Sequence, residues 1–160
     1  MNRIKQKPEE ENVMIGYMDD PKKLIVSEDK DKKGYSQELG TIKIGTYGKR
    51  LSDLLNNEEI FLEYENKTGE LITINKNAIL FIILDGKKSA EEIKYESSQL
   101  RIELKRGIEF SGMINIGGKT GFRQSLEKRW FIPVDVKQGG VFRTAIINRN
   151  NIMRIIEHKS

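Results

Sequence analysis

One ten-residue pattern occurs twice in this chain, and a repeat defines the folding unit before any local pattern is read. Residues 74–83 read Ile-Asn-Lys-Asn-Ala-Ile-Leu-Phe-Ile-Ile, and residues 147–156 read Ile-Asn-Arg-Asn-Asn-Ile-Met-Arg-Ile-Ile, an offset of 147 − 74 = 73 positions. Each copy sets a cation between two asparagines. The likeness extends upstream. Gly40-Thr41-Ile42-Lys43-Ile44-Gly45 matches Gly112-Met113-Ile114-Asn115-Ile116-Gly117, Arg50 matches Arg123, and Phe61-Leu62 matches Phe131-Ile132. The order of the blocks is kept while their offsets drift, as insertions in surface loops allow.

A chain of 160 residues suits one domain or two small ones. Each half is near the smallest size that holds a core alone, so the halves are expected to pack together. The expected division is a flexible N-terminal tail over residues 1–21, a first unit over 22–90 and a second over 91–160. Without cysteine, disulfide frameworks and thiolate metal sites are excluded. No apolar stretch is long enough to span a membrane, and the charged N-terminus lacks a signal peptide's apolar region. A cytoplasmic location is the resulting expectation.

The periodicity is that of strands. Leu100, Ile102 and Leu104 alternate with Arg101, Glu103 and Lys105, which gives one buried face. Similar runs fall at residues 23–26, 38–44, 60–65, 71–75, 78–84, 108–116, 130–136, 141–147 and 152–157. Residues 13–18 read as a short added strand or an apolar anchor. Residues 27–35 read as a charged hairpin tip, and 85–92 as a polar linker. Leu51, Leu54 and Leu55 have the spacing of a helical turn. Pro133 removes a backbone donor, so its strand is expected at an edge or bulged. Short strands with hardly any helix predict an all-β fold: two tandem SH3/Sm-like small barrels packed together, with one short helical segment per unit.

The run from Leu100 to Ile114, with its glycine turn and the mid-strand Gly112, resembles the first two strands of Sm-like proteins, the bacterial RNA chaperones among them. The segments Ile74-Asn75-Lys76-Asn77-Ala78-Ile79 and Ile147-Asn148-Arg149-Asn150-Asn151-Ile152 are similar to that family's last two strands and the polar turn between them. The resemblance implies a small barrel, a turn that lines an RNA-binding pore, and strands that join neighbours into a ring. The Arg50-Leu51-Ser52-Asp53-Leu54-Leu55-Asn56 segment followed by Phe61-Leu62 also resembles an uncharacterised bacterial domain of unknown function, which implies no activity.

Catalytic chemistry has little to work with. His158 is the sole histidine and lies near the end of the sequence, which excludes a multi-histidine metal site within one chain. Gly117-Gly118-Lys119-Thr120-Gly121 looks like a phosphate loop, but Met113 stands where a nucleotide-binding loop needs its first glycine. No carboxylate pair has a setting for acid–base work. The expectation is a non-enzymatic chain that needs no cofactor or metal and acts as a protein-interaction or assembly module. A protein partner or self-association is expected, with Phe81, Ile83, Arg50 and Arg123 as candidate interaction residues. Residues 79–84 carry no charge and are apolar on both faces, so their outer face must be covered by the second unit or by another molecule.

The alternative is an RNA or single-stranded nucleic-acid binder of Sm-like type. From residue 91 onward, thirteen Lys+Arg stand against eight Asp+Glu, and a basic half suits a phosphate backbone. Lys76, Arg101, Arg106, Lys119, Arg143 and Arg149 are its candidate contacts.

Overall fold

The computed structural model describes residues 9–19, 34–45, 50–88, 99–113, 124 and 126–157. The features expected at residues 23–26, 27–33, 89–92 and 114–123, and at His158, lie outside them. In chain order the elements are β1 (Glu9–Met18), β2 (Tyr35–Gly45), α1 (Leu51–Asn56), β3 (Phe61–Asn66), β4 (Leu71–Asn75), a 3-10 turn (Lys76–Ala78) and β5 (Ile79–Lys88). They continue with β6 (Gln99–Leu104), a second 3-10 turn (Lys105–Gly107), β7 (Glu109–Met113), β8 (Phe131–Gln138), β9 (Val141–Asn148), a third 3-10 turn (Arg149–Asn151) and β10 (Ile152–Glu157). Residues 126–128 form a helical turn. The fold is therefore predominantly β, with ten strands among the described residues in one antiparallel sheet ordered β10-β6-β7-β8-β9-β5-β1-β2-β3-β4.

That order contains one series twice: β5-β1-β2-β3-β4, then β10-β6-β7-β8-β9. The registers repeat as well. Phe61 pairs with Asn75 as Phe131 pairs with Asn148. Gly40 pairs with Asn66 as Gly112 pairs with Val136. Even the irregularity recurs: the ladder shifts between Tyr17↔Ile79 and Gly16↔Phe81, and again between Leu104↔Ile152 and Glu103↔Arg154. A glycine at each β2 or β7 crossing has a steric cause. A Cβ on Gly112 would lie 2.6 Å from the Asp135 carbonyl oxygen, and one on Gly40 would lie 3.0 Å from that of Glu65.

Two cores result. One gathers Val13 and Ile15 of β1, Ile42 of β2, Leu55 of α1 and Leu62 of β3. The other gathers Leu100 and Ile102 of β6, Phe110 of β7 and Val134 of β8. β5 feeds both. Ile79 and Ile82 face the first core, while Leu80, Phe81 and Ile83 face the second. β8 and β9 reciprocate, since Phe131 and Ile146 pack into the first core. Each such side chain stabilises the joint by about 1.5–3 kcal/mol on full burial.

Three expectations need correction. Residues 9–12, placed in the flexible tail, and residues 13–18, read as a short added strand or an apolar anchor, together form β1, an inner strand between β5 and β2. The alternation of Val13 and Ile15 carries it into the core, and Gly16 admits the Phe81 ring, which an added Cβ would meet at 2.3 Å. Residues 85–88, placed in the linker, continue β5, with Lys87 opposite Arg143 and Lys88 opposite Phe142. Pro133 sits in β8, which is an inner strand between β7 and β9. Among the described residues β8 meets β7 at Asp135 and Val136, so no described ladder bond to β7 calls for a donor at Pro133.

Candidate interaction site: one seam and two open edges

The seam between the halves is strand pairing. β5 and β9 align Phe81↔Ile147, Ile82↔Ile146 and Ile83↔Ala145. Phe81, 1% exposed, stands edge-on to Phe110 at 5.0 Å and to Tyr35 at 6.4 Å between ring centroids. Ile83 is buried in the same core. Both face the other half of their own chain.

The asparagine turns close one end of the seam. Asn75 Oδ1 accepts the Asn77 N–H at 2.9 Å, and Asn148 Oδ1 accepts the Asn150 N–H at 3.0 Å, so the first asparagine holds each turn. Asn148 then crosses the seam, donating through Nδ2 to the carbonyls of Ile79 at 2.9 Å and Lys76 at 3.2 Å. Asn151 donates to Ile79 at 3.1 Å. From α1, Asn56 grips the Phe131 backbone, accepting its N–H at 2.8 Å and donating to its carbonyl at 3.0 Å.

The cations between the asparagines point inward. Lys76 is 1% exposed. Its Nζ donates to the Leu54 carbonyl and to Asn57 Oδ1, each at 2.7 Å, and lies 5.6 Å from the Trp130 ring centre. Arg149 Nη1 donates to the Leu126 and Glu127 carbonyls at 2.8 and 2.9 Å. Each repeat thus uses its turn cation to satisfy carbonyls at the end of its own helical turn, where positive charge is favoured. Burial holds the Lys76 ammonium below its usual pKa, against the opposing pull of Glu59. A lysine so enclosed is not presented to a nucleic acid.

The other candidate residues are scattered. Arg101 pairs with Glu109 at 3.2 Å and stands 3.8 Å from Glu103. Arg106 is exposed at a positive φ of 72°, with Gly34 against its side chain. Arg143 lies opposite Lys87 and borders a cleft of about 330 Å³ with Lys67 and Gln138. Arg50 precedes α1, and its backbone N–H, rather than its guanidinium, binds Asp53, at 2.9 Å. Lys119 and Arg123 lie outside the described residues. Among those described, no three His, Cys, Asp or Glu form a metal-binding group, and no helix is long and apolar enough to cross a membrane.

What the sequence reading missed is the pair of strand edges. β4 and β10 end the sheet, each with one neighbour among the described residues. The bonds from Asn66 N–H to Glu70 and from Lys76 N–H to Ile60 set the phase of β4. Alternation then turns the N–H and C=O of Thr73 away from β3. The Leu104 N–H to Ile108 bond sets β6 likewise, and turns the backbone groups of Ile155 away from β6. Exposed large apolar side chains flank both edges: Ile60 53%, Phe61 56% and Leu71 70% beside β4, and Met153 66% on β10. Only the repeat could have located these residues in advance, because their equivalents Trp130, Phe131 and Leu80 are covered at the seam.

Glu38, on β2 of the same half as β4, has a buried Oε1 with no hydrogen-bond partner among the described residues. Its carboxylate also neighbours Tyr64, whose phenol is held above its usual pKa by burial first and by the hydrogen bond to Glu38 second.

No family model, curated protein or solved structure matches the chain.

Proposed function

We propose that this chain is a non-enzymatic assembly module built from two tandem small β-barrels of SH3/Sm-like type, which engages protein partners through strand edges. The support is one observation: its own halves are joined by pairing β5 of one with β9 of the other, and each half leaves its remaining outer strand with one open edge among the described residues. An exposed strand edge is a template for another strand, because its N–H and C=O groups are aligned and unused. Each five-strand series also has its own core, as a pair of small barrels requires.

What weighs against the competing nucleic-acid reading is that the Lys76 ammonium is enclosed on the Leu54 carbonyl and Asn57, and that Arg149 commits Nη1 to the Leu126 and Glu127 carbonyls. A titration with oligo(U) and oligo(A) at low salt separates the two readings. Amide exchange at Thr73 and Ile155 is read in the same samples. The expected result is no saturable binding at micromolar oligonucleotide and no protection of either amide by it. Binding that falls steeply with salt and is weakened by Arg106→Ala and Arg143→Ala would make the chain a nucleic-acid binder instead.

A further inference from the structure

We infer that the partner of these edges is a second copy of this chain, joined head to tail: β10 of one copy pairs with β4 of the next, in the register that β5 and β9 use internally. This rests on the edge reading above. The repeat dictates the alignment. Phe81↔Ile147, Ile82↔Ile146 and Ile83↔Ala145 become Arg154↔Ile74, Ile155↔Thr73 and Ile156↔Ile72. Thr73 and Ile155 are the residues whose backbone groups face outward, so the phase of both edges suits this register.

Side chains at the two edges agree with it. Phe131 is fully buried in the partner half's core at the seam, near Ile79 and Ile82. Its equivalent Phe61 stands 56% exposed, beside an open groove of about 600 Å³ that Ile60 also lines. In the proposed joint Phe61 lies against Ile152 and Ile155 of the adjoining copy. Asn148 uses its amide to cross the seam, whereas the amide nitrogen of Asn75 has no partner among the described residues. Across the joint it would reach the Arg149 and Ile152 carbonyls.

The most specific match replaces an aromatic pair by an ion pair. At the seam Phe81 meets Phe110. Arg154 is the equivalent of Phe81, and Glu38 is the equivalent of Phe110, because Ile15↔Glu38 repeats as Ile102↔Phe110. Arg154 donates to Glu103 through Nε and Nη2, both at 2.9 Å, which leaves Nη1 uncommitted among the described residues. Glu38 keeps a buried Oε1 without a donor among the described residues. The joint brings that oxygen and that donor together. The wider charge agrees: the β3–β4 side carries Glu58, Glu59, Glu63, Glu65 and Glu70 against Lys67, while the β10 side carries Arg101, Lys105, Arg106 and Arg154 against Glu103, Glu109 and Glu157. A heterologous contact of this kind continues until it closes into a ring or runs on as a filament.

The chain has no cysteine, so paired single-cysteine variants report the register directly. Ile74→Cys and Arg154→Cys fall on a close, non-hydrogen-bonded pair, with Cα atoms about 4.5 Å apart, within disulfide reach. Mixing the two is expected to give a mixed disulfide faster than the off-register mixture of Leu71→Cys with Arg154→Cys. Sedentation of the cysteine-free chain is expected to show mass rising with concentration in steps of 18.5 kDa. Phe61→Glu and Thr73→Pro, both at exposed positions, are expected to weaken association by about tenfold or more. Circular dichroism checks that each variant is folded. Arg154→Glu is expected to weaken association, and Glu38→Arg in the same chain to restore it. Association that survives Phe61→Glu and Thr73→Pro, with no preference for the 74–154 disulfide, overturns the head-to-tail joint and leaves the assembly reading standing. A chain that stays monomeric at millimolar concentration overturns the joint, and if it also binds oligonucleotide it overturns both.

Discussion

Gly16 and Phe81 form a steric pair, and a double-mutant cycle measures it. Phe81 is 1% exposed, and its ring occupies the space a Cβ on Gly16 would need, at 2.3 Å. Phe81→Ala removes the ring from the second core and breaks its contacts with Phe110 and Tyr35. The expected cost is about 3–5 kcal/mol. Gly16→Ala alone forces a methyl into the filled site and is expected to cost about 1–3 kcal/mol. In the Phe81→Ala background the same methyl enters vacated space. There it is expected to cost nothing, or to return about 0.4–1 kcal/mol by restricting the unfolded chain. The coupling energy is then about 1–4 kcal/mol, well beyond the additivity seen between independent sites. Urea unfolding followed by far-UV circular dichroism and by the fluorescence of Trp130, the sole tryptophan, gives each value. If the two substitutions add to within about 0.5 kcal/mol, the ring does not lie over Gly16 and the seam is built differently.

Lys76→Met keeps the stem and removes the ammonium from Leu54 and Asn57; it is expected to cost about 3–6 kcal/mol in urea melts, since hydrogen bonds to a charged group are worth about 1.5–3 kcal/mol each and two are lost. Because burial lowers the folded pKa of Lys76 below the ordinary 10.5, the unfolded chain binds more protons between those two values. Stability of the parent relative to Lys76→Met should therefore rise with pH across that window, and a fall would refute the assignment. Gly112→Ala drives a Cβ against the Asp135 carbonyl, and thermal melts should show it costing more than Gly40→Ala, whose nearest neighbour is the more yielding Tyr64 ring. Asn148→Ala removes the Lys76 carbonyl's side-chain donor, one of the two amide donors on the Ile79 carbonyl and the turn's acceptor, and is expected to cost about 2–4 kcal/mol, whereas Asn75→Ala, exposed and without the crossing bonds, should cost about 0.5–2 kcal/mol in the monomer.

Much of the fold was legible because the repeat carries register as well as strands. The asparagine turn, the glycine at each strand crossing and the leucines of α1 all do in the structure what their chemistry suggests. β1 was obscured because Glu9, Glu10, Glu11 and Asn12 make its first half look like a solvated tail. The polar end of β5 was obscured because a strand that runs past both cores needs no apolar side chains. The inward course of Lys76 had a signal that was read the other way. A cation repeated at one point of a tight turn suggested a ligand, yet carbonyls at the end of a nearby helix need positive charge too. The seam left one mark, the two-sided apolar run 79–84 of β5, but the open edges left none within either unit. Only comparing a buried residue with its exposed counterpart, such as Phe131 with Phe61, brings them out.

The sharing of β5 between two cores sets an order of events during synthesis. When Lys88 leaves the ribosome, every described strand of the first half has been made, but Phe131 and Ile146, which finish its core, have not. Leu80, Phe81 and Ile83 meanwhile wait for a cover that arrives with β6 to β9. The nascent first half therefore spends the translation of roughly sixty further residues, several seconds at about 5–20 residues per second, with a sticky strand face in solution. A ribosome-bound chain stalled after residue 88 should recruit holding chaperones that one stalled well beyond residue 157 does not.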